Sequence, residues 1–209
     1  EEQVAQDWDA QWKASFTGAF VEPFWHVLPP WVEGPGTRVL RINPGAGFGT
    51  GTHETTQLCL GFLASADRTR PLRGTCVLDF GSGSGILAIG AALLGATVEA
   101  VEIDPLAIDN SRENAELNLI ESRIRYSLAL APDHRGFDGV IANILKPVLL
   151  EFADELVARL RPGGFVILSG LIEKDVEEVQ ARYSRLLGRP GVVAIKNEWR
   201  AIYWGETPK

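Results

Sequence analysis

The sequence predicts an α/β protein built on a mainly parallel, seven-stranded sheet with a C-terminal antiparallel hairpin. Three observations carry this. From residue 39 onward, apolar runs of strand length alternate with helix-length segments across short loops, the pattern of a parallel sheet covered on both faces. One junction, Val77-Leu78-Asp79-Phe80-Gly81-Ser82-Gly83-Ser84-Gly85, runs from an apolar stretch through an acid into a glycine-dense turn, and the helix-forming Ile86-Leu87-Ala88 follows. That is a strand-loop-helix opening suited to a ligand at the sheet edge. Finally, the apolar runs 192–196 and 199–204 have only Asn197 and Glu198 between them, so they pair as antiparallel neighbours.

The elements follow in order. Residues 1–40 are rich in Trp and Phe and end in the turn signals Pro29-Pro30 and Gly34-Pro35-Gly36. Trp8, Trp12 and Phe16 stand at i, i+4 and i+8, one face of a short helix. This segment reads as a linker or lid bracing a single domain over residues 41–209. Strands are predicted at residues 39–42, 76–80, 98–103, 124–128, 139–142 and 165–169, ahead of the hairpin. Helices are predicted at residues 53–65, 86–94, 105–119, 147–161 and 174–187. The helix at 105 has a clear start, because Asp104 suits the N-cap and Pro105 the first turn.

Composition narrows the function. With 209 residues, 45% of them hydrophobic and 22% charged, the chain has the make-up of an ordinary globular domain with a real core. A net charge of −7 argues against a nucleic-acid-binding surface, which needs clustered Lys and Arg to neutralise phosphates. Cys59 and Cys76 lie inside apolar runs and read as buried free thiols, not a disulfide. His26, His53 and His134 lack metal-site spacing with them, so no metal is expected. Neither a signal peptide nor a run of ~18 apolar residues is present, which predicts a cytoplasmic protein with no membrane partner.

The glycine spacing narrows the ligand. A dinucleotide fingerprint G-x-G-x-x-G from Gly81 would need glycine where Ile86 stands, and from Gly83 where Ala88 stands. The sequence instead reads D-x-G-x-G-x-G. Asp79, two residues before the first glycine, would repel a pyrophosphate and suit a cation. S-adenosylmethionine answers that description: it has no phosphate, a sulfonium and an α-ammonium. Gly81, Gly83 and Gly85 would let the backbone approach it, and Asp79 would face the ammonium directly or through water. Glu102, 21 residues after Gly81 at the end of the next strand, is placed to accept from the ribose hydroxyls. Asp104 is its rival, but serves better as the cap. Asn143, after the fourth apolar strand, would hold the methionine end or the incoming nucleophile, or would merely close a turn. In the glycine-rich stretch 43–51 no G-K-[ST] follows, so it is no phosphate loop. His53 reads as a hydrogen-bonding brace before it reads as a base.

These motifs also carry a resemblance. F-G-T-G-T-H-E-T-T from Phe48, D-F-G-S-G-S-G-I-L-A-I from Asp79, E-I-D-P from Glu102 and A-N-I-L from Ala142 resemble the PrmA group, methyltransferases of bacterial ribosomal protein L11. The similarity runs from about Asp7 to Trp204, nearly the whole chain. It implies a Rossmann-like class I methyltransferase fold and S-adenosylmethionine as cofactor, with cofactor contacts at Thr56, Gly81, Glu102 and Asn143. It further implies N-methylation of lysine or α-amino groups of a ribosomal protein. On the acceptor side the residues themselves offer Asn143 to position the nucleophile, with Phe48 and His53 as substrate-side candidates. The sequence departs from the family in three ways. The family's separate N-terminal recognition domain has no counterpart among these residues, Asn43 stands where the loop usually opens with Asp, and Glu102 replaces an Asp. The alternatives are a small-molecule N- or O-methyltransferase of the same fold and a non-catalytic module that binds the cofactor.

Overall fold

The computed structural model describes residues 17–43, 51–132 and 134–206. Trp8, Trp12, Phe16 and Phe48 therefore lie outside the described residues.

Three short strands come first among the described residues: β1 (Ala19–Val21), β2 (Trp25–Leu28) and β3 (Val39–Arg41). They form a small sheet of their own, with β1 antiparallel and β3 parallel to β2. The predicted strand at 39–42 thus belongs to this sheet and not to the large one. Trp25 anchors the sheet to the domain. It is fully buried, and its indole N–H donates to the Leu60 carbonyl of helix α1 (Glu54–Thr69) at 3.2 Å. Burying a side chain of this size contributes about 2–3 kcal/mol, so Trp25 ties the small sheet to the core.

The large sheet follows from alternating strands and helices. Its first half comprises β4 (Cys76–Phe80), α2 (Ile86–Leu93), β5 (Thr97–Val101), α3 (Pro105–Leu117) and β6 (Ile124–Ser127). Its second half comprises β7 (Phe137–Asn143), α4 (Lys146–Glu151), α5 (Ala153–Ala158), β8 (Leu160–Ile172) and α6 (Glu173–Leu187). The hairpin β9 (Val192–Lys196) and β10 (Trp199–Trp204) ends it. Strand order is β6-β5-β4-β7-β8-β10-β9, with β10 antiparallel to both neighbours and the other adjacent strands parallel. The hairpin turns at Asn197, whose φ of 52° asparagine tolerates better than most residues.

Two apolar layers cover the sheet. One joins it to α1, α2 and the small sheet, with Leu40, Leu60, Leu63 and Ile89 fully buried; the other joins it to α4–α6 around Leu149, Tyr183 and Trp204. Both cysteines are free, Cys59 buried and Cys76 only half-buried. No helix among the described residues is long and apolar enough to cross a membrane.

The predicted helix at 147–161 is instead two short helices. The backbone leaves helical geometry at Phe152 (φ −90°, ψ 5°), whose ring packs 5.0 Å from that of Phe80. The third helix carries a row of asparagines. Asn118 accepts from the Arg41 amide at 2.9 Å and donates to the Arg41 carbonyl at 2.7 Å. Asn114 accepts from the Asn43 amide at 2.7 Å and donates to the Ser84 carbonyl at 3.0 Å. Asn114 in the last turn of α3 and Asn118 at its C-cap, one turn apart, tie the small sheet and the glycine turn to one rigid support.

Candidate active site

The sheet reverses its strand order between β4 and β7, and open α/β sheets bind ligands at that point, beyond the carboxyl ends of the strands. A cavity of about 580 Å³ lies there, between the glycine turn, the start of α1, the β7–α4 loop and the hairpin. That is room for a drug-sized ligand. Among the described residues its wall carries no Lys or Arg.

Glu102 follows the last residue of β5. One carboxylate oxygen accepts from the Gly83 amide at 2.9 Å and the other from the Asp104 amide at 3.1 Å. Each oxygen keeps a lone pair for a further donor. Asp104 itself caps α3 as expected, accepting from the Leu106 amide at 2.9 Å with Pro105 in the first turn.

Gly81 and Gly83 border the cavity, whereas Gly85 stands behind it. All three have positive φ. At Gly85 the reason is packing: a Cβ there would stand 1.9 Å from the Ser111 Oγ of α3. Asp79 is also set behind the turn. It is fully buried, one oxygen accepts from the Ala88 amide at 2.9 Å in the first turn of α2, and the other has no hydrogen-bond partner. Burial pushes its carboxyl up to about 7, with the Ala88 hydrogen bond opposing and the nearby Glu102 charge adding to the rise. The fixed negative charge expected at this position is therefore only partly present at neutral pH.

Asn143 ends β7. Its side-chain NH₂ donates to Thr55 Oγ1 at 3.1 Å and to Thr56 Oγ1 at 3.4 Å, while its buried Oδ1 has no partner. The two threonines, buried at the start of α1, hold the amide in place. His53 is the N-cap of α1: Nδ1 accepts from the Thr55 amide at 3.3 Å and lies 2.8 Å from Thr55 Oγ1. Its ring meets that of Trp199 edge-on, centroids 4.9 Å apart. The bracing reading of His53 is the one its geometry supports, though it also lines the cavity.

Sequence reasoning did not single out Trp199 as a site residue. Trp199 opens β10, and because that strand runs antiparallel its first residue arrives at the edge where the parallel strands end. That signal was available once the hairpin was recognised. Exposed apolar residues complete the mouth, Ile103 after Glu102 and Leu145 after Asn143. Among the described residues no group of three or more His, Cys, Asp or Glu side chains is arranged to hold a metal.

Comparison with known proteins adds a family. The profile of the family described as ribosomal protein L11 methyltransferase (PrmA) matches residues 1–206. The ribosomal protein L11 methyltransferase of Pseudomonas aeruginosa (strain LESB58) is 42% identical over 193 residues, covering 88% of this chain and 63% of the relative. That of Photobacterium profundum is 40% identical over 202 residues, or 94% and 67% of the two chains. The chain thus spans about 63% of the length of the first of these curated relatives. A crystal structure of the ribosomal protein L11 methylase of Lactobacillus delbrueckii subsp. bulgaricus superposes with a TM-score of 0.77 at 28% identity, covering 90% of this chain and 97% of that one. A precorrin-6y C5,15-methyltransferase from Geobacter metallireducens, 19% identical with a TM-score of 0.62, shares the fold.

Proposed function

The chain belongs to the ribosomal protein L11 methyltransferase family, and on that premise we propose that it is an S-adenosylmethionine-dependent protein N-methyltransferase. Its acceptor is a lysine or α-amino group of an L11-like ribosomal protein, and it works in the cytoplasm. Residues 41–209 carry the transfer and residues 1–40 brace it. The single observation that carries this reading is the Asn143 amide. Its donor end is held by Thr55 and Thr56, and its buried Oδ1 is left without a partner beside a cavity of the right size.

The residues fit the cofactor. Glu102 offers carboxylate oxygens to ribose hydroxyls, and Gly81 and Gly83 leave the backbone bare along the cavity. Ser82 Oγ, buried and unpartnered on the cavity wall, answers the polar methionine end, with Asp79 set behind the turn. S-adenosylmethionine supplies the electrophilic methyl group when bound. The glycine spacing, with Ile86 and Ala88 where a third glycine would be needed, favours this cofactor over a pyrophosphate dinucleotide.

The chain's own work is on the amine. A lysine at pH 7 must lose its proton before it can act as a nucleophile, at a cost of ~4–5 kcal/mol. An apolar mouth of Ile144, Leu145, Val148 and Trp199 disfavours the charged form and offsets part of that cost. Asn143 Oδ1 accepts a hydrogen bond from the neutral amine and so aims its lone pair into the cavity. Positioning of this kind supplies much of the rate in a two-reactant transfer. No strong base is needed, and His53, committed to capping α1, is a wall and not a base.

Mass spectrometry of a cell extract incubated with the protein and isotopically labelled cofactor tests the acceptor. Label on an L11-like protein supports the reading. Label confined to a small metabolite would move the protein to the small-molecule methyltransferases.

A further inference from the structure

Ile144 sits between two glycines that come from the strands on either side of β7, Gly81 after β4 and Gly170 in β8. A Cβ on Gly81 would lie 2.4 Å from Ile144 Cγ2, and a Cβ on Gly170 would lie 2.4 Å from the Ile144 carbonyl oxygen and 2.9 Å from its carbon. Contacts this close are available only to glycine. Gly170 has a φ of +83° and lies in a bulge of β8. There Ser169 and Gly170 together face only Ala201, since Arg200 pairs with Leu171 and Ile202 with Leu168. The bulge falls where β7 and β8 part company: Asn143 pairs with Ser169 in the last register of that ladder, and Ile144 is the next residue. Bulges next to ligand sites commonly re-aim a strand end. All three residues, Gly81, Ile144 and Gly170, line the cavity.

We infer that Ile144 is a positioning residue for Asn143, and that Gly81 and Gly170 lack side chains in order to receive it. The glycine turn on the cofactor side and the amide on the acceptor side then share one wall. A displacement of Ile144 from either glycine misaims the Asn143 amide without removing it. This rests on the reading of Asn143 as the group that meets the acceptor amine.

The test uses Gly170→Ala, Ile144→Ala and Ile144→Val in the whole chain. Four quantities are followed: the Asn143 side-chain amide resonances (identified by their loss in Asn143→Ser), the Kd for S-adenosylmethionine, the Tm, and kcat and KM with an L11-type acceptor. Gly170→Ala and Ile144→Ala should shift or broaden the Asn143 amide pair and lower kcat by roughly tenfold to a hundredfold, the scale of a misplacement near 1 Å. The cofactor Kd should move far less than kcat. Ile144→Val, which keeps a Cγ2, should restore both kcat and the resonances. Unmoved Asn143 resonances in a folded Gly170→Ala variant overturn the proposal, as does a kcat loss matched by an equal loss of cofactor affinity. Where Gly170→Ala fails to fold, Ile144→Ala decides on the same criteria. If the parent protein binds cofactor and transfers no methyl group, the functional reading fails, while the resonances still decide the positioning claim.

Discussion

The Gly83 amide donates to a carboxylate oxygen of Glu102 at 2.9 Å, latching the glycine turn to the end of β5. Glu102 thus holds the turn in shape, and on the proposed reading its remaining lone pairs serve the ribose. Glu102→Ala should weaken S-adenosylmethionine binding by ~1.5–3 kcal/mol, the worth of charge-assisted hydrogen bonds. Glu102→Gln, which keeps an acceptor for Gly83, should lose less. Calorimetric titration checks both, and parent-like affinity in the Ala variant would contradict the assignment.

Gly85 answers to α3 and not to the ligand. Gly85→Ala combines a clash with Ser111 Oγ and a left-handed backbone, and should destabilise the apo protein by about 2–4 kcal/mol. Ser111→Gly in the same chain should recover the steric part. Denaturant unfolding without cofactor measures this, and an unchanged midpoint in the single variant would show that the turn can yield.

Asp79 makes stability fall with rising pH. Its folded carboxyl lies at about 7 because it is buried, above its value in the unfolded chain, so the folded state holds the proton more tightly. The stability from this group is complete below pH ~4 and is lost as pH rises through about 7. Asp79→Asn keeps an acceptor for the Ala88 amide and should flatten that slope. At pH 8 it should be more stable than the parent by roughly 1–4 kcal/mol. Unfolding curves of both proteins between pH 4 and 8 that run parallel would remove Asp79 as the cause.

Leu119 has a φ of 57° just past the end of α3, with 88% of its surface exposed. The Ile120 amide donates to the Ala115 carbonyl at 3.2 Å, so this is a helix end that favours glycine at position 119. Leu119→Gly should stabilise the protein by ~0.5–1 kcal/mol after the entropic cost of glycine. A thermal melt shifted downward would contradict this.

Local chemistry made much of the fold readable in advance. Three strands, Cys76–Phe80, Val192–Lys196 and Trp199–Trp204, carry their predicted limits because each is an apolar run cut off by polar or glycine residues. The break at Phe152 was not readable, since it depends on Phe80 lying beneath that ring. In the site, Glu102 and Asn143 followed from their places at strand ends. The set-back position of Asp79 and Gly85 did not, because it depends on how α2 and α3 pack behind the turn. Gly170 gave no signal at all: its bulge exists only in relation to β10, far later in the chain.

Methyl transfer itself tests the account most directly. The protein is incubated with methyl-labelled S-adenosylmethionine and a purified L11-type ribosomal protein, and the acceptor is analysed by intact and fragment mass spectrometry. The account predicts label on lysine or α-amino nitrogens, and its near-complete loss in Asn143→Ala at a cofactor concentration that saturates the variant. Saturable cofactor binding with no label on any amine of the acceptor would contradict it.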